Sequence, residues 1–314
     1  MHRIYFLFSL LICLGLVLAA CQPPAAPAPT ATAVPTAVPV PTVTLTPGPL
    51  VPFPDRINLP VEINGRKYTL NCEGTGPVTI LLENGLDILS WNAPQYSKIG
   101  RTCVIVRPGV MVSISLGGPR TSMDQVKDLH TLLKQIGVPA PYILVGHSIA
   151  GYNLLIFTDT YPEEVVGLVC VDCRYPAVAD LFLEKVKINF SKEVNPEEAA
   201  LKFYGSSPYT YEVVKDPNAW HSNKEEVDIY TSAQRVRQVK SLGNRPFVVL
   251  VAEITESEQK VDLLMLEAWK EAAVKLSQLS TQARLETVPK KSHFTILRDP
   301  AVERAIQEVY DKVK

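Results

Sequence analysis

"YILVGHSIAGYNLL", residues 142 to 155, decides how the rest of the chain is read. Tyr142 to Val145 is a short continuous apolar run that stops at a glycine, which reads as a buried strand. His147 and Ser148 follow, then Ile149, the small pair Ala150-Gly151, and an apolar stretch of helical length that Pro162 ends. Such a strand delivers the chain to the carboxyl edge of an open sheet, where ligands bind, and the chain must then reverse sharply into a helix. Gly146, Ala150 and Gly151 are small enough for that close approach. Ser148 then sits exposed at the tip of a Gly-x-Ser-x-small turn, beside a helix N-terminus, as a nucleophile elbow requires. The competing reading is a loop serine without chemistry. The strand before it and the helix after it argue for the elbow.

Working outward, strand-like and helix-like segments alternate from Asp55 onward. Residues 67–74 alternate and end in glycine, and residues 78–85 and 103–109 are apolar runs closed by turns, so all three read as strands. Residues 90–100 read as a short helix capped by Ser90. The next helix is the clearest one. Ser122 with Gln125 forms a capping-box pattern, Val126, Leu129, Leu132, Leu133 and Ile136 share one face, and Gly137 is the stop. Helix 149–160, strands 165–172, 247–251 and 283–288, and helices 261–279 and 300–313 complete the series, the last opened by Pro300. This pattern predicts an α/β fold: a mainly parallel sheet with helices on both faces. Residues 174–245 break the rhythm. They are polar, charged and too long for a simple crossover, and are expected to form a helical cap inserted over the sheet's edge.

A serine hydroxyl needs a base to accept its proton. Of the five histidines, His2 lies in the N-terminal segment, His130 on the amphipathic helix, and His147 inside the elbow, where it points elsewhere if Ser148 points out. His221 belongs to the expected cap, as a surface residue or a substrate contact. His293 follows the last strand, which is where the chain order nucleophile, acid, histidine puts the base.

With these segments in order, the chain resembles the α/β-hydrolase superfamily over nearly all of residues 60–314. "LLENGLD" with Trp91, "GPRTSMDQVKDLHTLL", "YILVGHSIAG", "YPEEVVGLVCVD" and "SHF…DPAVERAI" carry the resemblance. It implies a Ser-His-acid triad and an oxyanion hole built from the backbone N–H groups of Leu86 and Ile149. The acid is open between two places. The turn after residues 247–251, where the superfamily usually has aspartate, offers only Glu253, Glu256 and Glu258. A minority carries the acid one strand earlier, and there Asp172 stands, 24 residues after Ser148. Asp172 is favoured, with Glu253 the alternative; the plain reading of Asp172 is a strand-end cap. Where many members read Asp-Arg-x-Gly-x-Gly-x-Ser, residues 106–113 read "VRPGVMVS", a departure that remodels a loop near the pocket. The resemblance also sets the strands bearing Cys72 and Cys103 side by side and implies a disulfide between them. Cys170 and Cys173, three apart around a strand end, are expected not to pair.

The expected activity is cleavage of an ester-like acyl bond in a small-molecule substrate, with peptidase or thioesterase chemistry as neighbours. No cofactor is required, and no sequence pattern has metal-site spacing. The alternative from another class is an idle scaffold of the same fold that binds a small molecule or a protein.

The N-terminus sets the location. Met1-His2-Arg3 is a basic start, residues 4–18 are almost wholly apolar, and Leu18-Ala19-Ala20-Cys21 follows. This is too short for a membrane span and reads as an export signal over residues 1–20. The cysteine after Leu-Ala-Ala resembles the bacterial lipobox, which implies cleavage before Cys21 and lipid attachment to it. Residues 21–54 are rich in Pro, Ala, Thr and Val and carry no charge. Proline-rich chain extends about 3.1 Å per residue, so this tether reaches on the order of 100 Å. The folded domain is expected over residues 55–314. The expectation is a protein of the bacterial cell envelope, lipid-anchored to a membrane and facing outside the cytoplasm. The 314 residues are 46% hydrophobic with a formal net charge of -1. That balance supplies no basic field, so nucleic acid is not an expected partner.

Overall fold

The computed structural model describes residues 54–86, 88–110, 120–189, 225, 227–255 and 260–314. The export signal, Cys21, the tether, His221, Glu256, Glu258 and most of the expected cap lie outside the described residues.

The apolar runs become strands because each can be covered on both sides. Among the described residues they are β1 (Arg56–Ile63), β2 (Arg66–Glu73), β3 (Thr79–Glu83), β4 (Arg101–Val106), β5 (Tyr142–His147), β6 (Val165–Val171), β7 (Gly243–Ala252) and β8 (Ser280–Val288). They form one sheet in the order β1-β2-β4-β3-β5-β6-β7-β8. From β4 to β8 neighbours are parallel, while β1 and β2 add an antiparallel edge. The register aligns Leu81 of β3 with Leu144 of β5, and Leu144 with Leu168 of β6. Strand alternation then sorts the core into two faces. Leu81, Leu144, Leu168 and Val249 belong to one cluster; Leu82, Val145, Val169 and Leu250 belong to the other.

Helices cover both faces. On the first lie α1 (Ser122–Ile136), which contributes Val126, Leu129, Leu132 and Leu133, and α2 (Ala150–Thr160), buried along nearly its whole length. On the second lies the last helix, which buries Val302, Ala305, Ile306 and Val309 at helical spacing. Full burial of each valine or isoleucine side chain contributes about 1.5–3 kcal/mol. Between these come α3 (Ala177–Asn189), α4 (Ile229–Val236) and α5 (Lys260–Ser277); the last helix is α6 (Pro300–Val313). Of the expected cap, α3 and α4 are described. Phe182 and Val186 of α3 pack with Leu264 and Ala268 of α5 in a small cluster of their own.

Several boundaries differ from expectation for physical reasons. The helix expected over 90–100 is a single 3₁₀ turn, Ala93–Gln95, capped by the Asn92 side chain; the Ser90 N–H instead donates to Asn84 Oδ1 at 2.9 Å. The capping box of α1 sits one residue earlier than the sequence suggests. Thr121 and Asp124 bond each other's backbone N–H groups, and Ser122 is the first helical residue. Gly137 ends α1 in the left-handed region at φ 79°. Strand β1 was not expected as such; it carries Pro60, which an edge strand tolerates because one side of its backbone has no partner.

Cys72 and Cys103 are directly opposite across β2 and β4 and are joined by a disulfide. Cys170 and Cys173 are free and buried, and the Cys173 thiol donates to the Gly146 carbonyl at 3.2 Å.

Candidate active site

Strand β5 ends at His147, and Ser148 turns the chain with φ 55°, a left-handed conformation that costs a non-glycine residue about 1 kcal/mol or more. The neighbours hold it there. The Ser148 carbonyl accepts from the N–H groups of Gly151, at 3.1 Å, and Arg174, at 2.7 Å. The turn is tight enough that a Cβ on Gly146 would lie 2.8 Å from Leu154 Cδ1, and one on Gly151 2.7 Å from Cys173 Cβ. Ala150, the third small position, is fully buried.

Strand β6 lies beside β5, and its tip repeats the device. Asp172 has φ 46°, and its N–H donates to the Leu250 carbonyl at 2.7 Å. Both carboxylate oxygens are engaged: Oδ1 accepts from the Ala252 N–H at 2.9 Å, and Oδ2 lies 2.6 Å from His293 Nδ1. The carboxylate is buried, so it meets the imidazole largely free of competing water. Glu253 does not meet His293. Its Oε2 accepts the Lys290 N–H at 2.7 Å, and Lys290 is itself left-handed at φ 57°. That glutamate is spent on the turn that leads into Lys291, Ser292 and His293.

His293 is walled by rings. His147 lies 4.4 Å away and Trp269 of α5 lies 5.3 Å away, edge-on at 72°. Phe294 stands at 5.2 Å and is 56% exposed. His147 is fully buried, and its Nε2 donates to the His293 carbonyl at 2.9 Å. That bond puts the proton on Nε2 and leaves Nδ1 without a partner. Burial first, and then the nearby His293, hold His147 well below the ordinary histidine value, so it stays neutral.

A pH effect follows from this. The unfolded chain takes a proton on this histidine near pH 6.5, whereas the folded chain refuses it, so stability is lost as pH falls through and below that value. Thermal melts from about pH 7.5 to about pH 5 are expected to show a smaller loss for His147→Gln than for the parent; equal losses would reject the assignment.

The loop after β3 reaches the elbow. A Cβ on Gly85 would lie 2.6 Å from His147 Nδ1 and 3.1 Å from Ser148 Cβ. Leu86 comes next in this loop, and Ile149 directly follows Ser148 as the N-cap of α2. Among the described residues neither amide N–H donates to a backbone carbonyl. Of the other histidines, His130 stacks on Tyr161 at 3.7 Å and bonds Glu164 at 3.0 Å, away from the site. Among the described residues no three His, Cys, Asp or Glu side chains gather as a metal site would require, and no helix is long and apolar enough to cross a membrane. Sequence reasoning missed the approach of Trp269 to His293 and the bonding of Arg107. The first reads as one more apolar residue on a helix; the second has its partners up to 118 residues away.

No protein-family model matches the chain. Among curated proteins it is 36% identical over 111 residues to an uncharacterized Schizosaccharomyces pombe protein, covering 34% of this chain and 20% of that one. It is 29% identical over 132 residues to the uncharacterized protein YbdG of Bacillus subtilis, covering 37% and 38%. The matches span less than half the length of these relatives. Among solved structures it is similar to a thermophilic esterase from Thermogutta terrifontis, at 20% identity and TM-score 0.53 over 82% of this chain and 98% of that one. It is likewise similar to E-2-(acetamidomethylene)succinate hydrolase, at 18% identity and TM-score 0.52 over 82% and 99%. A third likeness is to carboxylesterase CesB of Bacillus subtilis, at 16% identity and TM-score 0.51 over 81% and 91%. The mostly parallel eight-stranded sheet with its helices is the α/β-hydrolase fold of these neighbours.

Proposed function

We propose that the chain is a serine hydrolase that cleaves an acyl bond, in the first place an ester, with Ser148 as nucleophile, His293 as base and Asp172 as orienting acid. The observation that carries this reading is the 2.6 Å contact of Asp172 Oδ2 with His293 Nδ1, at the strand tip beside the one that holds Ser148 at φ 55°. The carboxylate accepts the Nδ1–H and so leaves Nε2 unprotonated, which is the tautomer that takes a proton from a serine hydroxyl. Ser148 Oγ attacks the carbonyl carbon and His293 Nε2 takes its proton. The Leu86 and Ile149 N–H groups receive the oxyanion. Collapse expels the alcohol with the proton from His293, and water repeats the sequence to release the acid. The esterases and hydrolases among the structural neighbours support the same direction. The proposal extends to location: lipid on Cys21, and a domain tethered to a membrane on the outer side of a bacterial cytoplasmic boundary, acting on a small acyl substrate.

A fluorophosphonate probe tests the reading, because it reacts only with an activated serine. The parent is expected to be labelled at Ser148, as found by peptide mass spectrometry. A folded parent that takes no label would instead be the idle scaffold that binds without turnover.

A further inference from the structure

Arg107 follows β4 and is buried, with all five of its N–H donors used. Nε donates to Glu225 Oε2 at 2.6 Å, and Nη2 donates to Glu225 Oε1 at 2.9 Å, a bidentate grip. Nη1 donates to Glu83 Oε1 at 3.1 Å. The remaining two donors go to main-chain carbonyls: Nη1 to Asn84 at 2.8 Å and Nη2 to Gly85 at 3.0 Å. Those carbonyls belong to the peptides that lead directly into Leu86.

The geometry of a peptide makes the last of these bonds more than a contact. The Gly85 carbonyl and the Leu86 N–H share one rigid plane, and in a trans peptide they point in opposite directions. Fixing the carbonyl oxygen on Arg107 therefore fixes the direction of the Leu86 N–H, which projects away from the guanidinium. The other flank of the loop is also tied, since Asn84 Oδ1 accepts from the N–H groups of Ser90 and Trp91. The elbow lies against the same loop at Gly85.

Resting on the triad reading above, we propose that Arg107 is a positioning residue for the oxyanion hole, aiming the Leu86 N–H, and that Glu225 holds Arg107 in that pose. Glu225 lies within the expected cap, shortly before α4 in sequence. The chain just after it is docked nearby: the Asp228 N–H donates to the Arg120 carbonyl at 2.8 Å, and Val227 bridges Arg120. The donor's aim thus depends on a part of the chain far from the elbow in sequence. Burial disfavours the charged guanidinium, but Glu225 and then Glu83 overcome that and keep it protonated. A purely structural ion pair would need only the two carboxylates; the two loop carbonyls are what tie this one to the chemistry.

The test compares Glu225→Gln, Glu225→Asp and Arg107→Lys with the parent, using p-nitrophenyl acetate as substrate and a trifluoromethyl ketone as oxyanion mimic. Lysine keeps the charge but lacks the fork needed to hold a carboxylate and two carbonyls together. Loss of one oxyanion donor costs about 10²–10³ in kcat, so a misaimed donor is expected to cost about 10-fold or more. KM should stay within about two-fold, because the ground-state carbonyl depends little on the donor. Affinity for the ketone should fall by the same factor as kcat. Folded variants with unchanged kcat and unchanged ketone affinity overturn the proposal. So does a failure of all three conservative variants to fold, which would assign the network to the fold instead of the donor. A parent without turnover or fluorophosphonate labelling would instead count against the triad reading, so the two failures are told apart.

Discussion

Replacing Ser148 by alanine is expected to lower kcat for p-nitrophenyl acetate by about 10⁴- to 10⁶-fold while the fold survives. The size follows from the loss of the attacking atom: what remains is water attacking a carbonyl in a hole that still stabilises the oxyanion. Alanine keeps the backbone bonds that shape the turn, since Gly151 and Arg174 donate to the main-chain carbonyl of residue 148 and not to its side chain. Far-ultraviolet circular dichroism and the melting temperature should therefore change little. His293→Ala should reduce kcat almost as far, because members of a triad act as a unit, and the double variant should be no worse than either single one. Turnover that persists undiminished in Ser148→Ala would remove the nucleophile from the proposal.

The second large effect concerns the acid. Asp172→Asn is expected to cost about 10⁴ in kcat, the size seen when the equivalent change is made in a serine protease. Here the structure supplies a specific reason. The Ala252 N–H donates to Oδ1, so an asparagine must turn its amide oxygen to that donor. Its NH₂ group then faces His293 Nδ1, which must become an acceptor, and the ring proton moves to Nε2. That tautomer cannot take the serine's proton. Glu253→Gln should stay within about two-fold of the parent, since a glutamine oxygen can still accept the Lys290 N–H. Steady-state kinetics of the two purified variants check this. A large loss in Glu253→Gln with a mild one in Asp172→Asn would exchange their roles.

Much of this was legible in the sequence because the signals are local. The run 142–145 with small residues around Ser148 specifies strand, turn and helix within a few positions, and the face of α1 repeats at helical spacing. Asp172 could be favoured because it ends an apolar strand 24 residues after Ser148, while the later turn offers no aspartate. Local propensity failed where long-range contacts take over. Ser90 looks like a helix cap, but Asn84 captures its N–H and the helical turn starts only after Asn92. Strand β1 pairs with β2 across a short turn, and its pattern is blurred by Pro60 and by the water-facing side of an edge. The bonds of Arg107 join β4, the β3 loop and Glu225, a juxtaposition that no single window of sequence contains. Trp269 meets His293 only because α5 packs back along the sheet.

The disulfide described at the sheet's antiparallel edge has a topological side. Cys72 and Cys103 are 31 residues apart in sequence, and the ring they close contains β3, Asn84, Gly85, Leu86 and Trp91. The peptide that carries the proposed Leu86 donor is therefore threaded on a covalent hoop anchored in the neighbouring strands. Closing a hoop of this length removes conformations from the unfolded chain worth about 3–4 kcal/mol in the loop-entropy model. Seen this way, the bond is less a rivet in the sheet than a drawstring. It gathers the stretch between two strands, and limits how far that stretch can wander if the noncovalent ties around it let go.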